Sequence, residues 1–284
     1  MSAFIQELFS PEMVFLRYAL IFGVLSSLLI RVVGTMVVTR RITSIAGAIA
    51  HAVLGGIGVS LFLQRVCGLA WCQPLPGAAV GAVAAALLIG IVRICARERE
   101  DTVISVIWAL GMAIGLLFLD RTPGYVDFQG YLFGNILLLS SRDVWLTLLL
   151  DVAVLVPVGL FFNSLQAVFF DSTFAELRGV RVRLIYLLML VMTALTIVLM
   201  VYVVGIILLI ALLTLPAATA GCFARRLWSM MALAVLCCWG FVGSGLLGSY
   251  WLDLPSGPVI VVIAVCCYVA ALLIQAWRGR RPER

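Results

Sequence analysis

Apolar runs, each about as long as a bilayer-crossing helix, follow one another through almost the whole chain, separated by short polar loops that carry arginine. A crossing helix needs roughly 20 consecutive apolar residues, with about 17–25 tolerated. By that measure the pattern predicts nine spans, at about 14–38, 43–64, 76–95, 102–119, 144–162, 184–203, 205–222, 228–250 and 257–277. The sixth and seventh come from one stretch. Leu184 to Cys222 is interrupted only by Gly205 and Pro216, too long for one ordinary helix, so it divides near Gly205. The fold class expected is an all-α polytopic membrane protein. Eight crossings follow if the first run is not a full span or if the stretch after Gly205 is re-entrant.

Composition agrees with the pattern. Hydrophobic residues make up 64% of the chain and charged residues 11%, with a mean hydropathy of +1.22. A soluble domain carries about a quarter charged residues, so the main solvent of this chain is lipid. The opening MSAFIQELFSPEM lacks the basic start and small-residue cleavage site of a signal peptide. The first run is therefore expected to stay as a span.

The net charge of +6 rests on nineteen basic residues, every one an arginine. Spread through short loops between apolar runs, they read as orientation signals and not as a nucleic-acid surface. With the loop after the first span inside, the cytoplasmic side takes Arg40, Arg41, Arg93, Arg97, Arg99, Arg178, Arg181, Arg183, Arg225, Arg226 and the tail arginines. Arg65, Arg121 and Arg142 stay outside with Asp120, Asp127, Asp143 and Asp253. That bias requires an odd number of crossings, with the N-terminus outside and the C-terminus cytoplasmic. The loops leave no room for an extramembrane domain, so residues 1–284 read as one transmembrane domain. No GxxxxGK[ST] occurs, so any ATP hydrolysis belongs to another subunit. No CxxC or Cys/His zinc pattern occurs either. Cys67 and Cys72 share one loop and either pair, if it faces an oxidising compartment, or remain two thiols.

Ionisable groups inside spans are costly and mark functional candidates. His51, the one histidine, lies in RRITSIAGAIAHAVLGGIGVS among Gly47, Gly55, Gly56 and Gly58. Neutral imidazole is the commonest transition-metal ligand; the alternative is a histidine hydrogen-bonded to a neighbouring helix. Asp151, in LTLLLDVAVL, either lines a cation path or pairs with an arginine such as Arg31 of the first span. Pro216, in LLTLPAATA, interrupts the helical hydrogen-bond ladder, as either a gate or a plain kink. Asn163–Arg183 is the longest cytoplasmic insertion. Its mixed polarity predicts a short helix along the membrane surface, ended by Gly179. Leu252–Pro258 reads as a rigid outer turn in which Asp253 or Ser256 caps the last span, and Tyr131–Asn135 as an outer re-entry.

Several of these stretches together resemble the chelated-metal (zinc, manganese, iron) permease subunits of bacterial ABC importers. The arginine pair Arg40–Arg41 followed by SIAGAIAHAVLGG is similar to the second-span signature of that family. GYLFGNILLLS (Gly130–Ser140), DSTFAELRGV, VVGIILLIALLTLPAATA and LPSGP follow in the same order. The resemblance implies a type II ABC importer-like permease of the bacterial inner membrane, working as a homodimer or a paired permease. Its implied partners are two cytoplasmic ATPase subunits and an extracytoplasmic metal-binding protein. The segment of about 171–183, with Ala175, Glu176 and Gly179, is implied to dock the ATPase. In the family an aspartate usually stands four residues before the histidine. This chain has Gly47 there, so Ser44 and Asp151 become candidate companions of His51, with Gly47, Gly205 and Pro216 as gate or hinge positions.

The chain itself is expected to bind no cofactor and to catalyse no covalent step, while its partner uses ATP. The cargo is a divalent transition metal. Loss of the aspartate leans towards zinc, and manganese or iron are the alternatives. A secondary transporter would need intramembrane carboxylates for ion coupling, and Asp151 is the one central acid. A lipid-modifying enzyme would need clustered ligands that one histidine does not provide.

Overall fold

In lipid every backbone N–H and C=O must be satisfied within the segment, which leaves helices as the form these apolar runs can take. The computed structural model describes residues 14–95, 100–124, 130, 132, 134, 141–224 and 226–279. Among them every regular element is helical. The opening thirteen residues, Arg97, Arg99, Arg225 and the last tail arginines lie outside the described residues, as do Tyr131, Phe133 and Asn135 of the expected re-entry.

The helices are α1 (Val14–Leu29), continued by a π-helical turn (Ile30–Gly34) and α2 (Thr35–Thr39), then α3 (Thr43–Arg65), α4 (Pro74–Cys95) and α5 (Glu100–Asp120). There follow α6 (Ser141–Leu160), α7 (Phe162–Phe170), α8 (Ser172–Leu177), α9 (Val182–Val204), α10 (Ile206–Gly221), α11 (Leu227–Leu252) and α12 (Ser256–Gly279). All nine predicted runs are helical, but the count of nine full spans is corrected. Among the described residues seven helical stretches are long and apolar enough to cross a bilayer, or eight if the bent pair below is one span. The fifth run is broken, with α6 and α7 meeting at 69°. The seventh, α10, has 16 residues, roughly 24 Å at 1.5 Å per residue and shorter than the hydrocarbon core. Hydropathy sees length in residues, and a local bend is invisible to it.

The chain forms two compact units. One comprises residues 37–132 and 153–202, the other 1–36, 133–152 and 203–284. In the first, α3 packs tightly against both α4 and α5. Glycines make that approach possible. A Cβ on Gly55 would stand 2.9 Å from the Gly111 carbonyl oxygen of α5, and one on Gly56 would run into the Gly77 carbonyl of α4. Backbones this close have no slack for sliding, so α3, α4 and α5 form one block.

In the second unit α10 packs against α11, α12 and the π-helical turn. A Cβ on Gly34 would strike the Leu213 carbonyl, and the Trp239 indole donates to Ser27 Oγ at 2.9 Å, tying α11 to α1. The turn between α11 and α12 is in place, but Asp253 serves there as the left-handed C-cap of α11 (φ 52°). Cys67 and Cys72 are both free thiols.

Candidate functional site

His51 sits on the third turn of α3, the most buried of the long helices. Its side chain is 7% exposed, and its Nδ1 has no hydrogen-bond partner. Of the two sequence readings, the histidine satisfied by a neighbouring helix is therefore not the one realised at Nδ1. A buried polar atom left unpaired is costly, and a cation arriving at that nitrogen would remove the penalty. One face of the ring is covered by Trp108 of α5, with ring centroids 4.8 Å apart and 23° between planes.

The same indole explains the missing aspartate. A Cβ on Gly47 would lie 2.9 Å from Trp108 Cζ3 and 3.1 Å from Cη2. Gly47 and His51 are one helical turn apart and face one way. The volume a carboxylate would need beside His51 is thus filled by an aromatic ring. Among the described residues no three His, Cys, Asp or Glu side chains converge to hold a metal ion.

Ser44 is exposed on the first turn of α3. Seven residues from His51, it lies roughly 10 Å away along the axis, and the structure does not bring the two together. Asp151 lies in α6, in the other unit, 3% exposed. Neither of its oxygens has a hydrogen-bond partner, so the pairing with Arg31 is not made. Arg31 instead lies over the Trp228 ring at 6.0 Å, because the π-helical turn carries it towards α11.

The segment before α9 holds a short helix followed by Gly179, as expected, but a break at Asp171 separates it from α7. Asp171, extended at φ −151°, caps α8 by accepting from the Thr173 and Phe174 amides at 2.9 and 3.0 Å. Gly179 ends the turn at φ 79°, a conformation that favours glycine. Ala175 is fully buried, while Leu177 is 82% and Phe174 50% exposed. Glu176 is exposed as well. A six-residue helix anchored by one small residue thus presents two large apolar ones as an exposed knob.

Gly205 adopts φ 82°, ψ 164° as N-cap of α10, a backbone region restricted to glycine. It is the break between α9 and α10, and Gly134 packs on it so closely that a Cβ there would strike the Val204 carbonyl. Pro216 is buried inside α10. Separately, an apolar cavity of about 560 Å³ opens among α3, α4 and α5, where Ser60 is one of few polar side chains, its hydroxyl donated to the Gln73 carbonyl at 2.7 Å. Such a wall offers no ligand to a hydrated cation.

A buried imidazole with an unpartnered Nδ1, a glycine break and an exposed apolar knob stand on this helical membrane scaffold. The family model described as the ABC 3 transport family matches residues 12–275. The chain belongs to that family. It is 36% identical to a protein of Chlamydia muridarum named a probable metal transport system membrane protein, over 86% of this chain and 83% of that one. It is 32% identical to the manganese transport system membrane protein MntC of Listeria monocytogenes, over 93% and 92%. A solved structure of PsaBC from Streptococcus pneumoniae in complex with a Fab aligns with a TM-score of 0.81 at 29% identity, covering 95% of this chain and 94% of that chain. This ABC 3 member is a multi-pass permease subunit and not an enzyme.

Sequence reasoning missed Trp108. Nothing in VISVIWALGMAIG marks it, and only the helix packing places it on Gly47 and His51. In the sequence Arg93 reads as an orientation charge, and Arg40 as that and as part of the arginine-pair signature, yet both reach across the fold.

Proposed function

We propose that this chain is the permease of an ATP-driven importer for a divalent transition metal, working by alternating access. Residues 1–284 act as one permease domain in the bacterial cytoplasmic membrane, N-terminus outside and C-terminus inside, as the arginine distribution favours. A second permease subunit, most simply another copy, completes the path. Cytoplasmic ATPase subunits dock on the segment around Ala175, Glu176 and Gly179, and an extracytoplasmic binding protein delivers the metal. ATP binding in the partner shifts the population between outward-open and inward-open arrangements. Gly205 and Pro216 are the positions at which α9 and α10 flex.

The observation that carries the site is the unpartnered Nδ1 of buried His51. Manganese is the cargo to test first, because MntC and other relatives of this chain are named for it. Zinc is the second reading, favoured by the absence of a carboxylate beside the imidazole. In a cell starved of manganese and expressing the whole system, His51→Ala should abolish Mn²⁺ accumulation while the complex still assembles. Uptake at the wild-type rate would reduce His51 to a packing residue. Rescue of zinc-starved cells alone would favour the second reading.

A further inference from the structure

The α8 knob stands between two backbone breaks, at Asp171 and Gly179, and packs on α7 with Ala175 fully buried. Two arginines tie its flanks to the rest of the fold. Before the knob, α7 ends with carbonyls that have no partner within the helix. Arg40 donates to one of them, the Val168 oxygen, at 2.6 Å, a cation at a helix C-terminus where the macrodipole favours it. After the knob, Tyr186 lies in the early turns of α9, 9% exposed. Arg93, in the last turn of α4, donates to the Tyr186 hydroxyl at 2.7 Å and stacks on its ring at 4.4 Å.

Arg93 belongs to the α3–α5 block, and Arg40 leads directly into it. Arg40 stands three residues before α3, at a bend where Arg41 takes the left-handed conformation (φ 55°) that non-glycine residues seldom adopt. The two also feel each other's charge. Burial lowers the pKa of the Arg40 guanidinium, the like charge of Arg93 lowers it further, and Tyr186 opposes the trend. Two cations drawn into one neighbourhood, each occupied by a partner on an opposite flank of the same knob, do more than orient the chain in the membrane.

We propose that Arg40 and Arg93 form a two-point latch that ties both flanks of the α8 knob to the α3–α5 block, so that displacement of the knob moves the helix carrying His51. The inference rests on the reading that residues 171–183 dock the ATPase. The glycine contacts of α3 with α4 and α5 make the block rigid, and the latch delivers the stroke to its end nearest the knob. Arg40 and Arg93 are positioning residues and touch no cargo.

The test uses the permease reconstituted with its ATPase in proteoliposomes, reading Mn²⁺ transported per ATP hydrolysed. Arg40→Gln and Arg93→Gln should keep the ATPase bound and hydrolysing, while Mn²⁺ per ATP falls by about tenfold, the weight of one charge-assisted hydrogen bond. Arg40→Lys, which can still donate to the carbonyl, should recover part of the loss. If Arg40→Gln does not assemble, Arg40→Lys and Arg93→Gln carry the measurement. An unchanged ratio in these variants overturns the latch, as does a fall of transport and ATP hydrolysis in equal proportion, the mark of a merely structural role. Gly179→Asp separates the two readings. It should release the ATPase on copurification; retention would refute the docking segment and the latch together. Release beside an unchanged ratio in the arginine variants would refute the latch alone.

Discussion

Gly47→Asp restores the carboxylate that the resemblance leads one to expect, and the structure predicts that this chain rejects it. The new Cβ would lie 2.9 Å from Trp108 Cζ3, against roughly 3.5–4.0 Å for comfortable carbon contact. The indole must therefore retreat by about 0.5–1 Å, away from its stacking on His51 at 4.8 Å. Overpacking of this kind costs about 1–3 kcal/mol, and the disturbed ring pair about 0.5–1.5 more. Replacing a mid-helix glycine returns only a few tenths, about 0.3 kcal/mol for aspartate. Trp108→Ala alone leaves a gap, at about 2 kcal/mol for a ring that is 38% exposed. In the double variant the clash is gone, so the two costs should fall short of additivity by about 1–3 kcal/mol. The assay is unfolding by SDS titration in detergent micelles, applied to the wild type, both single variants and the double variant. Strictly additive losses, or a Gly47→Asp protein as stable as wild type, would refute the claim that Trp108 occupies the carboxylate's place.

Gly205→Ala forces a side chain into φ 82°, ψ 164°; it should destabilise by about 1–3 kcal/mol in the same titration, and no loss would mean the break adapts freely. Asp151→Asn keeps the shape of a buried side chain whose oxygens have no partner and removes the burden of an ionisable group. Stability should hold or rise while Mn²⁺ uptake falls at least about tenfold, since removing a charged ligand costs roughly 1.4 kcal/mol or more; retained uptake would take Asp151 off the path.

Much of this protein is legible in its sequence because lipid imposes a simple rule. Every apolar run long enough to cross had to become helix, since an unpaired backbone group in hydrocarbon has no other remedy, and all nine runs did. Local chemistry fixed some ends as well. Asp171 and Gly179 bound the α8 knob, and Gly205 divides the long run, because capping and positive φ are properties of single residues. What sequence does not encode is which faces meet. That Trp108 fills the room beside His51, that Arg31 turns to Trp228 and leaves Asp151 unpaired, and that Arg40 and Arg93 grip the flanks of the knob all depend on residues distant in the chain. Hydropathy fixes how deep a residue lies. Its neighbours are set by packing, down to the glycines that let three backbones touch.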